Sequence, residues 1–273
     1  MKFYFSVISH KHQDIIIRLG SLRRLSALKQ VTVICRDNIV TPKLREYCKK
    51  HAIHYCPNTK LHGFSTNNNL NFLEAESLGM EDQDYFILLN PDVHISNQMI
   101  KQLLKELEQK AYPFAVPNLF LDKRLSLFDD NLRRYPNFKS FIKNYLFNDR
   151  ATVIDKSSPE QLPKHYWASG AFLIVRASLY RGVNGFDEHY YMYCEDIDFC
   201  LRAHRAGQDL NFLPEIKAVH YRHRCSQKFL SVAFFRHVFS VFLYHLASRK
   251  LRSNKSCLAR SKNRENIDSP CAK

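Results

Sequence analysis

The segment that most constrains the fold is the apolar run from Tyr85 to Leu89, which stops abruptly at Asn90-Pro91-Asp92. An apolar run of this length between polar residues predicts a strand that is buried on both faces of its sheet. Such a strand needs helices packed against both faces. The carboxylate of Asp92 then lies where a buried strand opens to solvent, and a carboxylate in that position requires a binding partner.

Strand and helix patterns alternate through the first half of the chain. Strands are predicted over FYFSVI, QVTVICRDN, IHYC, DYFILLNPD and PFAVPNLF, with helices between them. Thr41-Pro42 and Ser96 are expected to start two of these helices. The alternation predicts an α/β fold with a mainly parallel central sheet flanked by helices. Ligands of such sheets bind beyond the carboxyl ends of the strands, where Asp37 and Asp92 fall.

A single domain is predicted over residues 1–224, followed by a tail over residues 225–273. In the domain, a helix is predicted over NFKSFIKNYLF, a strand over YWASGAFLIVRASLY, a helix over EDIDFCLRAHRAG, and short strands over LNFL and KAVHYRH. The tail is predicted to be basic, aromatic and helical, with a disordered end. Three roles are compatible with the tail helix: completing the core, forming a dimer contact or lying at a membrane surface.

The net charge of +15 is concentrated near the C-terminus, where Lys217 to Arg264 contains twelve lysines and arginines and no acidic residue. Such a surface attracts an anion, which can be nucleic acid, anionic lipid or a phosphorylated substrate. Eight cysteines without paired spacing predict reduced thiols in a cytosolic chain and argue against a disulfide framework or zinc site. No apolar run approaches the roughly 18 residues of a membrane-spanning helix, so a soluble or peripheral protein is expected.

Two acidic clusters are candidates for chemistry. Asp92, with Asn90 on the same strand face, offers the oxygen ligands that Mg²⁺ or Mn²⁺ prefers, although a loop aspartate can also simply cap a turn. Glu195 and Asp196 begin a predicted helix after a tyrosine-rich segment, which would raise the pKa of a carboxylate and suit it as a general base. Acidic residues at a helix start also arise from helix-dipole stabilisation alone.

Trp167 and His220 each allow a structural and a functional interpretation. Trp167 is the only tryptophan, and it can pack in the core or stack on a sugar ring. His220 can be a satisfied core histidine or a metal ligand. The residues alone leave both alternatives open.

The order of these features resembles the family 2 inverting glycosyltransferases of the GT-A fold. The resemblance covers residues 3–224 and rests on LLNPDV, WASGAFLIVR, GFDEHYYMYCEDIDFCLRAHRAG and AVHY. Within the family, the chain is similar to bacterial rhamnosyltransferases that add L-rhamnose to a lipid-linked N-acetylglucosamine during O-antigen or cell-wall polysaccharide assembly. Asn90 is a departure, because many relatives carry the first aspartate of a DxD motif there.

On the donor side, the resemblance implies that Asp37 contacts the nucleotide base or its ribose. The segment from Gly63 to Asn69, which includes Asn67, would form a loop bordering the nucleotide sugar. Asn90 and Asp92 would form the DxD-like motif, in which Asp92 holds Mg²⁺ or Mn²⁺ against the donor diphosphate. His220 would be a further ligand of the metal or of the diphosphate.

On the acceptor side, the resemblance implies that Asp196 is the base and that Glu195 orients the acceptor beside it. Trp167 and Gly170 would bind the acceptor sugar. The implied partners are a nucleotide-sugar donor, a polyprenyl-diphosphate-linked acceptor and the cytoplasmic membrane surface, with no nucleic acid. The expected location is therefore cytoplasmic and peripheral on the inner face of the cell membrane, with the basic aromatic tail at the interface.

Two other protein classes fit part of the sequence. A nucleic-acid-binding protein would use the Lys217 to Arg264 stretch on phosphates and aromatic residues on bases, but it leaves the carboxylates at 92 and 195–196 without a role. A nucleotidyltransferase would keep the fold, but such enzymes carry a glycine-rich loop after the first strand, and SHKHQD contains no glycine. Salt-sensitive binding to oligonucleotides would favour the first class.

Overall fold

The computed structural model describes residues 1–136, 150–222 and 232–259. The helix predicted over NFKSFIKNYLF lies outside these residues, as do residues 223–231 and 260–273 near and in the predicted tail. A central sheet contains eight strands, and two short strands form a separate ribbon. In chain order the strands are β1 (Phe3–Ser9), β2 (Val31–Asp37), β3 (His54–Pro57), β4 (Tyr85–Leu89), β5 (Val93–His94), β6 (Phe114–Phe120), β7 (Leu132–Arg133), β8 (Trp167–Ala168), β9 (Phe172–Arg176) and β10 (Asn211–His220).

The strand order of the large sheet is β3-β2-β1-β4-β9-β6-β10-β5. Strand β1 is parallel to β2 and β4, β2 is parallel to β3, and β6 is parallel to β10. Strand β9 runs antiparallel to both β4 and β6 and joins the two parallel parts. The predicted mainly parallel α/β sheet is confirmed. The carboxyl ends of β2, β4, β6 and β10 consequently share one edge, which also receives the start of β9.

Helices and loops cover both faces of the sheet and create two hydrophobic layers. Along β1, Phe3, Phe5 and Val7 enter one layer and Tyr4 enters the other, as the alternation of strand side chains requires. All five residues of β4 are buried, as its apolar sequence predicts. The helices are α1 (Gln13–Leu19), α2 (Ser21–Ser26), α3 (Pro42–Lys50), α4 (Phe64–Ser77), α5 (Asn97–Lys110), α6 (Ala177–Gly182), α7 (Glu195–Arg205) and α8 (Val232–Ser248).

Several elements differ from the sequence-based prediction. The single helix expected after β1 is two helices, because Gly20 adopts a left-handed φ of 62° between α1 and α2. The segment expected as one strand over YWASGAFLIVRASLY divides into β8, β9 and α6. The two short strands expected near the end of the domain form one strand, β10, with an irregularity between Leu213 and Lys217. Ser96 caps α5 as predicted, since its Oγ accepts a hydrogen bond from Met99 N at 3.2 Å.

The six cysteines in the described ranges are free, and five of them are buried. The five buried ones act as small apolar side chains of the core, the common role of a buried thiol. Among the residues that the structure describes, no helix is both long and apolar enough to cross a membrane.

The segment after α8 packs back onto the domain. Leu258 is only 2% exposed and belongs to one of the two core layers. Arg252 forms an ion pair with the buried Asp187. Glu188 N donates to Lys255 O at 2.7 Å. Because these residues complete the domain, a boundary at residue 224 does not separate an independent tail, and truncation there would open the core.

Replacing Leu258 with alanine is expected to lower the free energy of unfolding by about 2–5 kcal/mol, the cost of truncating a buried leucine. Urea denaturation of the full chain measures this change. Leu251→Ala is the matched control, because Leu251 is 66% exposed and its loss should cost less than about 0.5 kcal/mol. Equal, small effects of the two substitutions would contradict the packing of this segment against the domain.

Candidate active site

Asp92 and His220 meet at the carboxyl edge of the sheet. Asp92 follows β4 and His220 is the last residue of β10, so the common direction of these strands brings both to the same edge. Asp92 Oδ1 lies 3.4 Å from His220 Nε2. The backbone reinforces this contact, since Tyr221 N donates to Asp92 O at 3.1 Å. The two residues expected to bind a metal are therefore brought together.

A second carboxylate holds the other side of the His220 ring. His220 Nδ1 lies 2.6 Å from Asp129 Oδ2, and Arg222 pairs with the other oxygen of Asp129. Asp129 is 3% exposed and is held beside β6 by a hydrogen bond from its N to Leu119 O at 2.9 Å. This carboxylate fixes the orientation of the imidazole, so that Nε2 faces Asp92.

The two carboxylates determine the charge of the His220 ring. Burial alone would lower the pKa of His220, but the hydrogen bonds with Asp129 and Asp92 outweigh burial and raise the pKa to about 9. Burial would raise the pKa of Asp129, but His220 and Arg222 lower it below its usual value. The site between Asp92 and Asp129 therefore favours positive charge at neutral pH.

These groups also fit a divalent cation such as Mg²⁺ or Mn²⁺. The Asp92 carboxylate offers a hard oxygen ligand. His220 Nε2 faces the same point and would bind the cation after losing its proton, while its Nδ1 is bound by Asp129. A carboxylate on the far nitrogen of an imidazole is the usual arrangement behind a metal-binding histidine. The donor set of this edge is thus suited to the ion expected from the sequence.

Asp196 lies at the start of α7, against the backbone that leads into β9. Gly170 N donates to Asp196 Oδ2 at 3.2 Å, and Ile197 N donates to Oδ1 at 2.9 Å. A Cβ at position 170 would lie 3.1 Å from the Phe64 ring, so this close approach favours glycine. Burial raises the pKa of Asp196, although the two backbone N–H donors act against it. A partly exposed carboxylate with a raised pKa is suited to accept a proton.

Glu195 is the more buried member of the acidic pair. It is 7% exposed, and its Oε2 has no hydrogen-bond partner among the described residues. Burial and the neighbouring Asp196 raise the pKa of Glu195 well above its ordinary value. Glu195 is consequently held toward its neutral form, whereas Asp196 keeps access to solvent. The difference favours Asp196 as the proton acceptor.

The Asp92 edge and Asp196 are connected through the backbone between β4 and β9. Strands β4 and β9 pair in antiparallel fashion, so the end of β4 meets the start of β9. Asn90 N donates to Ala171 O at 2.8 Å. The adjacent Gly170 is the residue whose N–H is bonded to Asp196. One short backbone segment therefore separates the candidate metal carboxylate from the candidate base.

Trp167 lies near this segment, in the ribbon formed by β7 and β8. It is directly opposite Arg133 in the strand pairing. Its Nε1 donates to Arg134 O at 3.1 Å, which fixes the plane of the indole. The side chain packs against the cluster that contains Tyr190 and Ile197 and against one of the two core layers, and the residue stays partly exposed. Trp167 thus combines a packing role with an accessible surface, and its contact with an acceptor sugar remains a prediction.

Asp37 ends β2 and is completely buried. Its Oδ2 accepts hydrogen bonds from Thr41 N at 2.9 Å and from the Tyr55 hydroxyl at 3.0 Å, which ties β2 to its neighbours α3 and β3. Its Oδ1 has no partner among the described residues. A buried carboxylate oxygen without a donor is costly, and an O–H or N–H donor of a ligand would relieve that cost. The contact of Asp37 with a nucleotide remains a prediction.

The segment from Gly63 to Asn69 is the start of α4 and not the loop predicted from the sequence. A Cβ at Gly63 would lie 2.3 Å from Tyr191 O, so glycine is required by packing. Asn67 Nδ2 donates to Gly63 O at 3.0 Å, and Asn69 Oδ1 accepts from Phe186 N at 2.9 Å. These internal hydrogen bonds account for both asparagines without a bound sugar.

Sequence reasoning missed the polar groups that surround His220. Asp129 contacts His220, and Arg222 contacts Asp129. Lys156 is buried nearby and donates from Nζ to Leu119 O at 2.8 Å. Burial lowers the pKa of Lys156 to about 7, against the attraction of nearby carboxylates. The acidic pair Asp129-Asp130, directly after the apolar residues Leu127 and Phe128, was the available signal.

Comparison with known proteins gives one relative that matches nearly the whole chain. The chain is 36% identical over 255 residues to rhamnosyltransferase WbbL of Escherichia coli strain K12, covering 93% of this chain and 96% of that protein. It is 34% identical over 150 residues to an N-acetylglucosaminyl-diphospho-decaprenol L-rhamnosyltransferase of Mycobacterium tuberculosis, covering 51% of this chain and 47% of that protein. No protein-family model matches the chain.

Solved structures share the fold at low sequence identity. The structure of S. aureus TarS 1-349 in complex with UDP-GlcNAc has a TM-score of 0.61 at 13% identity, covering 95% of this chain and 69% of that chain. The mannosyltransferase PcManGT from Pyrobaculum calidifontis, in complex with GDP-Man and Mn2+, has a TM-score of 0.55 at 11% identity. It covers 93% of this chain and 65% of that chain. At these identities the likeness concerns the fold alone.

Proposed function

We propose that this chain, which belongs to the family 2 glycosyltransferases and has the GT-A fold, transfers L-rhamnose from dTDP-L-rhamnose to a lipid-linked N-acetylglucosamine with inversion at the anomeric carbon. Both relatives are rhamnosyltransferases by name. The name of the mycobacterial relative supports both the sugar and the acceptor class. The choice of dTDP as the nucleotide rests on the resemblance of the motifs.

The observation that carries the proposal is the adjacency of Asp196 and the Asp92 edge, through the hydrogen bonds of Gly170 and Asn90. Inversion requires the acceptor oxygen to attack the anomeric carbon from the face opposite the diphosphate. Asp196 takes the proton of the acceptor hydroxyl as the new glycosidic bond forms and the bond to the diphosphate breaks. A base and a diphosphate-binding edge on either side of one sugar are what this reaction needs.

Asp92 and His220 are the residues that would hold Mg²⁺ or Mn²⁺ in this enzyme. When bound there, the cation would supply positive charge against the developing charge of the leaving diphosphate. Asp129 keeps the His220 ring oriented through its bond to Nδ1. Glu195, buried beside Asp196, would orient the acceptor next to the base.

Calorimetry with a panel of donors tests this proposal. The panel contains dTDP-L-rhamnose, UDP-glucose and GDP-mannose, each with Mg²⁺, with Mn²⁺ and with EDTA. Selective binding of dTDP-L-rhamnose that is strengthened by metal is expected. Equal affinity for all three, or binding only to oligonucleotides in a salt-sensitive manner, would overturn the assignment.

The proposal includes peripheral attachment to the cytoplasmic face of the membrane, where a lipid-linked acceptor resides. Phe239 and Phe242, one turn apart on α8, are 58% and 54% exposed. Ser240 and Tyr244, on the other side of α8, are buried. Exposed lysine and arginine residues follow at 249 and 250. An apolar helix face next to cations is suited to an anionic membrane surface.

The double substitution Phe239→Ser, Phe242→Ser is expected to weaken binding to vesicles of phosphatidylethanolamine and phosphatidylglycerol by about tenfold or more, because two aromatic side chains no longer enter the bilayer. Co-sedimentation measures the change, and the fold is retained because both side chains are exposed. Leu78→Ser, an exposed apolar residue at the end of α4, is the control. Wild-type sedimentation of the double variant would exclude this face as the attachment surface.

A further inference from the structure

Three arginines surround one poorly exposed carboxylate beside the active site. Arg150 forms a bidentate ion pair with Asp130, in which Nη2 lies 2.6 Å from Oδ1 and Nη1 lies 3.0 Å from Oδ2. Arg133 Nη2 and Arg222 Nη2 lie 3.6 Å and 3.8 Å from the same Oδ2. One carboxylate therefore faces three guanidinium groups.

The neighbouring acidic groups do not balance this charge. Asp129 is shared between Arg222 and His220, and Asp92 faces the same His220. Among the described residues, two carboxylates, Asp129 and Asp130, pair with these three arginines, so the guanidinium groups outnumber the carboxylates. The side chains of Arg133 and Arg222 are each 23% exposed and that of Arg150 is 65% exposed. The cluster is thus accessible and electrostatically suited to one more anion.

The cluster extends toward the acceptor side of the site. Arg133 and Trp167 are directly opposed in the ribbon of β7 and β8, and opposed residues of an antiparallel pair project from the same face. The charge of Arg133 also acts on Asp196 and lowers its pKa, although less than burial raises it. Arg133 is consequently close to the candidate sugar platform, and its charge acts on the candidate base.

We propose that Arg133, Arg150 and Arg222 bind the diphosphate of the lipid-linked acceptor. This inference rests on the proposed function, because an acceptor sugar carried on a lipid diphosphate has a phosphate attached directly to its anomeric oxygen. With the sugar on Trp167, that phosphate falls beside Arg133. Planar guanidinium groups bind phosphate oxygens through paired N–H donors. A cluster of arginines is therefore better suited to a diphosphate than a cluster of lysines.

The test is calorimetric binding of farnesyl-diphospho-N-acetylglucosamine to the full chain, in EDTA and without donor nucleotide. Arg133→Gln is expected to weaken binding about tenfold to a hundredfold, the effect of losing a charged hydrogen-bond donor to phosphate. Arg150→Gln, whose exposed side chain can be removed without opening the core, should weaken binding about threefold to tenfold. Arg134→Gln is the matched control, since it removes the same charge from the adjacent exposed residue and should have no effect.

Two further ligands distinguish the source of the diphosphate. Farnesyl N-acetylglucosaminide, which lacks phosphate, should bind the wild type and both arginine variants equally, and dTDP with Mn²⁺ should also bind them equally. An equal loss of affinity for dTDP would assign the cluster to the donor and overturn the inference. Unchanged binding of the diphosphate acceptor to both variants would also overturn it. If acceptor binding depended on the arginines but no rhamnose were transferred, the diphosphate site would stand and the proposed donor would be wrong.

Discussion

Replacing Asp196 with asparagine is expected to lower the rate of sugar transfer by about 100- to 10,000-fold, the usual contribution of a general base. Asparagine has nearly the same size and keeps a carbonyl oxygen for the N–H of Gly170, but it cannot take the acceptor proton. The affinity for the donor should remain close to that of the wild type, because the diphosphate is bound at the Asp92 edge. Single-turnover transfer and donor calorimetry measure the two quantities separately.

Glu195→Gln is the matched control for this substitution. Glu195 is held toward its neutral form by burial and by Asp196, so glutamine should reduce transfer far less than Asp196→Asn does. The raised pKa of Asp196 fixes the sign of the pH dependence. Activity is lost as the pH falls and the base becomes protonated, with an apparent pKa above the usual value of about 3.9. Near-normal turnover of Asp196→Asn would remove Asp196 as the base.

Replacing Asp92 with asparagine is expected to weaken donor binding in the presence of metal by about tenfold or more, and to abolish the difference between metal and EDTA. The substitution removes the negative charge that faces His220 Nε2 at 3.4 Å, and a neutral amide is a weaker ligand for a hard cation. Calorimetry of dTDP-L-rhamnose with Mn²⁺ and with EDTA gives both values. His220→Gln should change them in the same direction.

Asp14→Asn serves as the control for the loss of one carboxylate, since Asp14 is exposed and pairs with Lys43 at the surface. Its donor affinity and its response to metal should match those of the wild type. If Asp92→Asn kept full, metal-enhanced affinity, the cation would have to be held elsewhere, and the assignment of the Asp92 edge would fail.

Local features of the sequence predicted much of the fold. The apolar run of β4, the serine cap of α5 and the Asp37 end of β2 depend on a few neighbouring residues, and each was recognised from them. The break at Gly20 was missed because apolar spacing continues across it, while a single left-handed residue changes the helix direction. The start of α4 at Phe64 was missed because three consecutive asparagines favour a loop unless tertiary hydrogen bonds use their amides.

The sequence identified only those candidate site residues that lie within a local motif. Asp92, His220 and Asp196 could be placed by their positions relative to predicted strands and helices. The contact of Asp129 with His220 joins residues 91 positions apart, and no local pattern indicates such a pair. The packing of Leu258 in the core was missed for the same reason, since one apolar residue in a basic stretch gives no periodic pattern.

The most direct test of the central claim is transfer by the purified wild-type chain from dTDP-L-rhamnose to farnesyl-diphospho-N-acetylglucosamine, with the product analysed by mass spectrometry and NMR. The account predicts a single added deoxyhexose whose anomeric configuration is opposite to that in the donor. A product that retains the donor configuration, or no product while another nucleotide sugar is transferred, would contradict it.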